Sequence, residues 1–265
     1  RTSRAVRRLA AHADQLLADG AFSNRTASVE RPYPGTDSHG LPTAGPDDLR
    51  AAADWARRNR VQLAVHAMGD RAINLVLDLF ADREGWLTER PSIRIEHATL
   101  VTPAMIERLA GARMRFAVVS HATFHFAEYE SYELALSPET ARDAYPLAGL
   151  LHGLPAFALA SDSPATAWET CDDVFLAVRA AVTRRAHQGA DLGQGQALSV
   201  GEALWCYTGG AAAVTTVRDA GTIEPGRPAH FVVLDRDCFA IEAAELDRVR
   251  VSETWMHGER IHRRG

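Results

Sequence analysis

The chain is 265 residues long, 46% hydrophobic and 24% charged, with a formal net charge of −5. That balance describes a globular protein with room for one large α/β domain or two smaller ones, and it excludes a polyanion binder, which needs a basic face. Cys171, Cys206 and Cys238 are too scattered for a disulfide framework or a thiolate zinc site, and no run reaches the roughly 18 apolar residues of a membrane span, so a reduced, cytoplasmic setting is expected.

All 29 basic residues are arginine. The first of them, Arg1, Arg4, Arg7 and Arg8, read as one solvated helix face. A first strand is expected at 15–19 (QLLAD), followed by a helix over GPDDLRAAADWARRN with Asp47 or Asp48 in its first turn. The second strand, VQLAV at 61–65, ends in His66; Gly69 then suits a tight turn, Asp70 a helix cap and Arg71 a carboxylate partner. IRIE at 93–96 is the third strand, ending in His97, and Thr102 with Pro103 opens the next helix. MRFAVV at 114–119 and AFALAS at 156–161 complete the series, with an aromatic segment, FHFAEYESYELAL, between them at the cleft mouth. Ser199 is expected to cap a later helix that breaks at Gly209 and Gly210. Strand then helix, repeated, predicts a parallel sheet covered by helices over residues 1–217, and alternation with turn signals predicts a small β unit over 218–265.

Three strands end alike, in His66, His97 and Asp162. In a parallel barrel all strand C-termini face one mouth, so these polar residues converge. His66 and His97 are 97 − 66 = 31 residues apart, close to one βαβ unit, and Asp162 follows after 162 − 97 = 65, close to two. Two imidazoles and a carboxylate on one rim suit a divalent metal, with Zn²⁺ the expected ion, which lowers the pKa of bound water to about 7. Arg25, Arg94 and His121 are candidate substrate-binding groups; Arg94 also has Glu96 within reach on the same face of its strand. Gly193 and Gly195 lack the third glycine of a dinucleotide loop, and no GxSxG surrounds Ser161 or Ser163.

VHAMGDRAIN, RIEHATLV, ASDSP and AGTIEPGRPAHFVVLDRD, in that order, resemble the amidohydrolase superfamily, in particular its family 3 branch of N-substituted formamide deformylase-like and exoenzyme regulatory protein-like chains. The resemblance implies an α/β fold, a (β/α)8 TIM barrel lacking its first strands here, plus a C-terminal β-sandwich portion. It further implies metal-dependent hydrolysis of non-peptide amide or formamide bonds in a small-molecule substrate. On it His66, His97 and Asp162 are metal ligands, Asp162 also accepts a proton from the attacking water, and His97 is a second catalytic candidate.

Two departures stand out. No HxH motif is present, and Gln15 occupies the position where the family commonly has a lysine that bridges two metals as a carbamate. A mononuclear centre is therefore expected over a binuclear one. Two rival readings follow: a truncated or catalytically incomplete relative with a regulatory or structural role, and a mononuclear deaminase. The chain also begins with Arg, and completion of the barrel by a missing N-terminal segment or by homo-oligomer formation is expected.

Overall fold

The computed structural model describes residues 15–217 and 220–265. The arginine cluster at 1–8 and the expected domain boundary at 218 lie outside the described residues.

Five parallel strands form the main sheet: β1 (Gln15–Leu17), β2 (Leu63–Ala67), β3 (Ile93–His97), β4 (Phe116–Ser120) and β5 (Phe157–Leu159). Their spatial order is their sequence order, with no reversal. That is the wall of a (β/α) barrel rather than a doubly wound sheet, whose order reverses at a switch point. Between the strands run α1 (Pro46–Asn59), α2 (Asp70–Phe80) and α3 (Pro103–Gly111). α4 (Ala122–Ala127), α5 (Tyr129–Ala135), α6 (Pro138–Asp143) and α7 (Leu147–Gly153) fill the long β4–β5 connection. α8 (Val174–Thr183), α9 (Val200–Tyr207) and α10 (Gly209–Val214) follow β5.

Local sequence explains these helices. α1 opens on Pro46 with Asp47 and Asp48 in its first turn, ends on Arg57 and Arg58, and buries Leu49, Ala52, Ala53 and Ala56 at helical spacing. The Thr102 hydroxyl accepts from the Met105 N–H at 3.3 Å, and Ser199 with Glu202 forms a reciprocal capping box on α9. The expected break at Gly209 and Gly210 falls one residue earlier, at Thr208.

Register divides the sheet into two faces. Val65, Ile95, Val118 and Phe157 lie side by side across four strands and join the main core beneath the helices. The alternate rows are Ala64, Arg94 and Ala117, then His66, Glu96, Val119 and Ala158. On the β4 and β5 side of this second face, Ala117, Val119, Ala156 and Ala158 pack on Val214 of α10. The Gln62 amide, just before β2, links α10 to the N-terminal end of the sheet, donating to the carbonyls of Pro91 and Val214 at 2.9 Å each. On this face the apolar packing lies on β4 and β5, while His66, Arg94 and Glu96 lie on β2 and β3.

β6 (Phe231–Leu234), β7 (Val251–Met256) and β8 (Glu259–Arg263) form a separate antiparallel sheet. The expected β-sandwich portion is thus a single three-stranded sheet among the described residues. Its connecting segment is not independent of the barrel wall, because Cys238, Leu246 and Val249 are buried in the main core. All 3 cysteines are free and buried, and no helix of the described residues is long and apolar enough to cross a membrane.

Candidate active site

Three imidazoles line up at successive strand ends. The ring centroids of His66 and His97 are 4.4 Å apart, and those of His97 and His121 4.5 Å. Pleating alone would not give this row, since His97 shares strand parity with Ile93 and Ile95, which point into the main core. His97 and Ala98 adopt left-handed backbone, φ 67° and 47°, and this breaks the alternation where β3 ends. Asp162 beyond β5 does the same, with φ 53°. Strained backbone of this kind costs on the order of 1–3 kcal/mol per residue and persists where surrounding structure dictates it, often at functional sites. The Ser120 hydroxyl holds the turn by donating to the His97 carbonyl at 3.1 Å.

Asp19 organises the rim from beneath. Its fully buried carboxylate accepts backbone N–H bonds from Ser28 at 2.8 Å, Met68 at 3.0 Å and Gly69 at 2.8 Å. Burial raises its pKa, while those three donors and His66 oppose the rise. Sequence reasoning did not single out Asp19; the only signal was its place as the last residue of the strand expected at 15–19, two residues beyond the end of β1 at Leu17. The His66 Nε2 lies 3.5 Å from Asp19 and 2.9 Å from the Gly20 carbonyl. A carbonyl only accepts, so this contact fixes the proton on Nε2 and leaves Nδ1 with a lone pair in the neutral ring.

Gly69 has φ −77°, so no special turn conformation requires it. Close approach does: a Cβ there would stand 1.9 Å from the Ser28 carbonyl oxygen. Asp70 is the first residue of α2 rather than its cap, and it accepts from the Glu30 and Arg71 N–H groups at 2.9 and 3.0 Å. The Arg71 side chain forms no ion pair among the described residues, contrary to the pairing expected for it.

Arg94 pairs with the buried Glu96 on the inner face. Burial raises the Glu96 pKa, Arg94 opposes this, and Asp162 adds to it, which puts the Asp162 charge within electrostatic reach of the same rim. Asp162 itself is raised by burial and opposed by His66. Burial and neighbouring imidazoles hold His97 well below the usual histidine range, and burial brings His121 to about 3. Both are neutral, and each keeps a buried Nδ1 with no hydrogen-bond partner. Phe124 edges onto both rings at 5.6 Å, so the aromatic segment does reach the mouth. Arg25 is exposed and its guanidinium donates to the Leu134 carbonyl at 2.8 Å, a contact that does not include the imidazole row. Gln15 sits exposed at the start of β1, beside Ala64.

The donor chemistry suits a metal, with two orphaned buried imidazole nitrogens and a tautomer fixed at His66. The count falls short: among the described residues no group of three His, Cys, Asp or Glu is arranged to hold an ion.

The family model described as "Amidohydrolase family" matches residues 2–262. The chain is 28% identical over 253 residues to YtcJ of Bacillus subtilis (strain 168), covering 94% of this chain and 46% of that protein. It is 27% identical over 246 residues to N-substituted formamide deformylase of Arthrobacter pascens, covering 92% and 44%. Among solved structures, an uncharacterized metal-dependent hydrolase from Pyrococcus horikoshii OT3 matches with a TM-score of 0.74 and 29% identity, over 86% of this chain and 45% of that one. The chain thus spans about half the length of the relatives it matches.

Proposed function

The chain belongs to the amidohydrolase family, and from that premise we propose that it contributes the His66, His97 and Asp162 side of a metal-dependent hydrolase centre for carbon–nitrogen bonds in non-peptide amides or formamides. The observation that carries this reading is the imidazole row at consecutive strand ends, with centroid spacings of 4.4 and 4.5 Å, and the partly buried Asp162 within electrostatic reach of His66. The names of the relatives, a formamide deformylase and a metal-dependent hydrolase, support the same chemistry.

His66 and His97 would hold the cation, with Asp162 beside them. A bound divalent ion, zinc in this reading, would polarise the carbonyl and acidify its water. Asp162 accepts the proton of the attacking water, a role favoured by burial that lifts its basicity above that of an exposed carboxylate. The Gly20 carbonyl and Asp19 orient His66. His121 and Phe124 exclude water from one side of His97. One ion is favoured, because Gln15 is a neutral amide and a chain without lysine supplies no carbamate bridge. The remaining ligands would come from whatever completes the sheet beyond β1, either a preceding segment of a longer protein or a second copy.

The shortfall in ligands supports a second reading, a catalytically incomplete relative. Elemental analysis decides between them. About one metal per chain, lost in the His66→Ala, Asp162→Ala double variant together with formamide hydrolysis, supports the hydrolase. Metal far below stoichiometry in folded, barrel-complete protein leaves the incomplete relative.

A further inference from the structure

A cavity opens among the segments that follow the strands of the parallel sheet. It encloses about 820 Å³, within the roughly 300–1,000 Å³ typical of small-molecule sites. None of His66, His97, His121 or Asp162 lines it. Its walls come from the segments after β1, β2, β3 and β4, and its apolar lining includes Tyr33, Leu100, Ile106 and Leu136.

The charges on this cleft are lopsided. Asp70, Glu107, Glu139 and Asp143 face it, against a single cation, Arg31. Asp70 accepts only backbone N–H groups, and burial raises its pKa with no cation beside it to oppose the shift. Glu107, Glu139 and Asp143 are exposed and form no ion pair among the described residues. A neutral or anionic guest would leave these carboxylates uncompensated next to an apolar wall, whereas a cation attached to an apolar body answers both features.

We propose that this cleft binds small organic amines in their ammonium form, the hydrocarbon part lying against Tyr33, Leu100, Ile106 and Leu136 and the charge directed to the carboxylates. The site is separate from the proposed metal centre and does not depend on it. Asp70 follows His66 on the chain, and Leu100 follows His97, so an occupant would contact the segments that carry both imidazoles.

The test is titration calorimetry of the purified protein with 2-phenylethylammonium at neutral pH and low salt, with 2-phenylethanol and 3-phenylpropionate as neutral and anionic counterparts. Saturable 1:1 binding of the amine, at least tenfold tighter than either counterpart, is expected. The Glu107→Gln, Glu139→Gln, Asp143→Asn triple variant, altered only at exposed positions, should weaken it at least tenfold. His66→Ala with Asp162→Ala should leave it unchanged, so failure of the metal reading and failure of this one are told apart. Absence of saturable binding, equal affinity for 2-phenylethanol, or full affinity in the triple variant would each overturn the proposal.

Discussion

The two sheets of this chain are held by different physics. In the parallel sheet nearly every residue of β2, β3 and β4 is buried, on both faces. In the antiparallel sheet β8 is exposed along its whole length and β7 is half-buried. The first draws its stability from hydrophobic burial and from buried polar atoms that must be satisfied. The second relies on pairwise surface contacts, such as Phe231 stacked on Trp255 at 5.5 Å and Glu253 bound by Arg260. Position in this molecule should therefore matter more than residue type when side chains are removed.

Asp19→Ala should have the largest effect. It orphans three buried N–H groups at once, and at ~1–3 kcal/mol for each a loss of about 4 kcal/mol or more is expected in denaturant unfolding. Gly69→Ala should cost about 3 kcal/mol by forcing the β2–α2 turn off the Ser28 carbonyl, read as a lower midpoint with an unchanged slope. Ile95→Ala in the parallel sheet should lose roughly 3 kcal/mol, whereas Ile261→Ala in β8, 59% exposed, should stay within about 0.5 kcal/mol. Equal losses at these two isoleucines would break the comparison.

His125 sharpens it through pH. The side chain is fully buried with neither ring nitrogen partnered. Burial first, and the Arg184 charge second, hold it well below its ordinary value of 6.5. Between that ordinary value and the folded one, the unfolded chain binds a proton that the folded chain refuses. Stability is then fully present above about pH 6.5 and declines as the pH falls below it. His125→Phe should flatten that acid-side slope by about one proton, read from unfolding midpoints followed as the pH is lowered.

The strands were legible because apolar runs bounded by polar residues mark a doubly buried parallel sheet. Their edges were less so. β2 begins at Leu63 rather than Val61, because Gln62 turns its amide to the Pro91 and Val214 carbonyls, a partner set no local pattern announces. β5 stops at Leu159, short of the expected 161, as the chain turns toward the left-handed Asp162. At the site, His66 and His97 could be read from strand ends, yet the flip at His97 that aligns the rings could not. Asp19 and the close approach at Gly69 escaped for one reason: their partners lie far away in sequence, and a single aspartate or glycine carries no periodicity.

The Asp19 carboxylate joins backbone segments 9, 49 and 50 residues away. Closing a loop of about 50 residues costs on the order of 3–4 kcal/mol of chain entropy before any contact rewards it. Such a knot of long-range bonds is expected to tie late, on the native side of the folding barrier, so that the rim of the mouth is assembled after the sheet beneath it. Asp19 would then act chiefly as a brake on unfolding. Its replacement by asparagine should steepen the escape from the native state while leaving the rate of arrival almost untouched, and a chevron plot would separate the two.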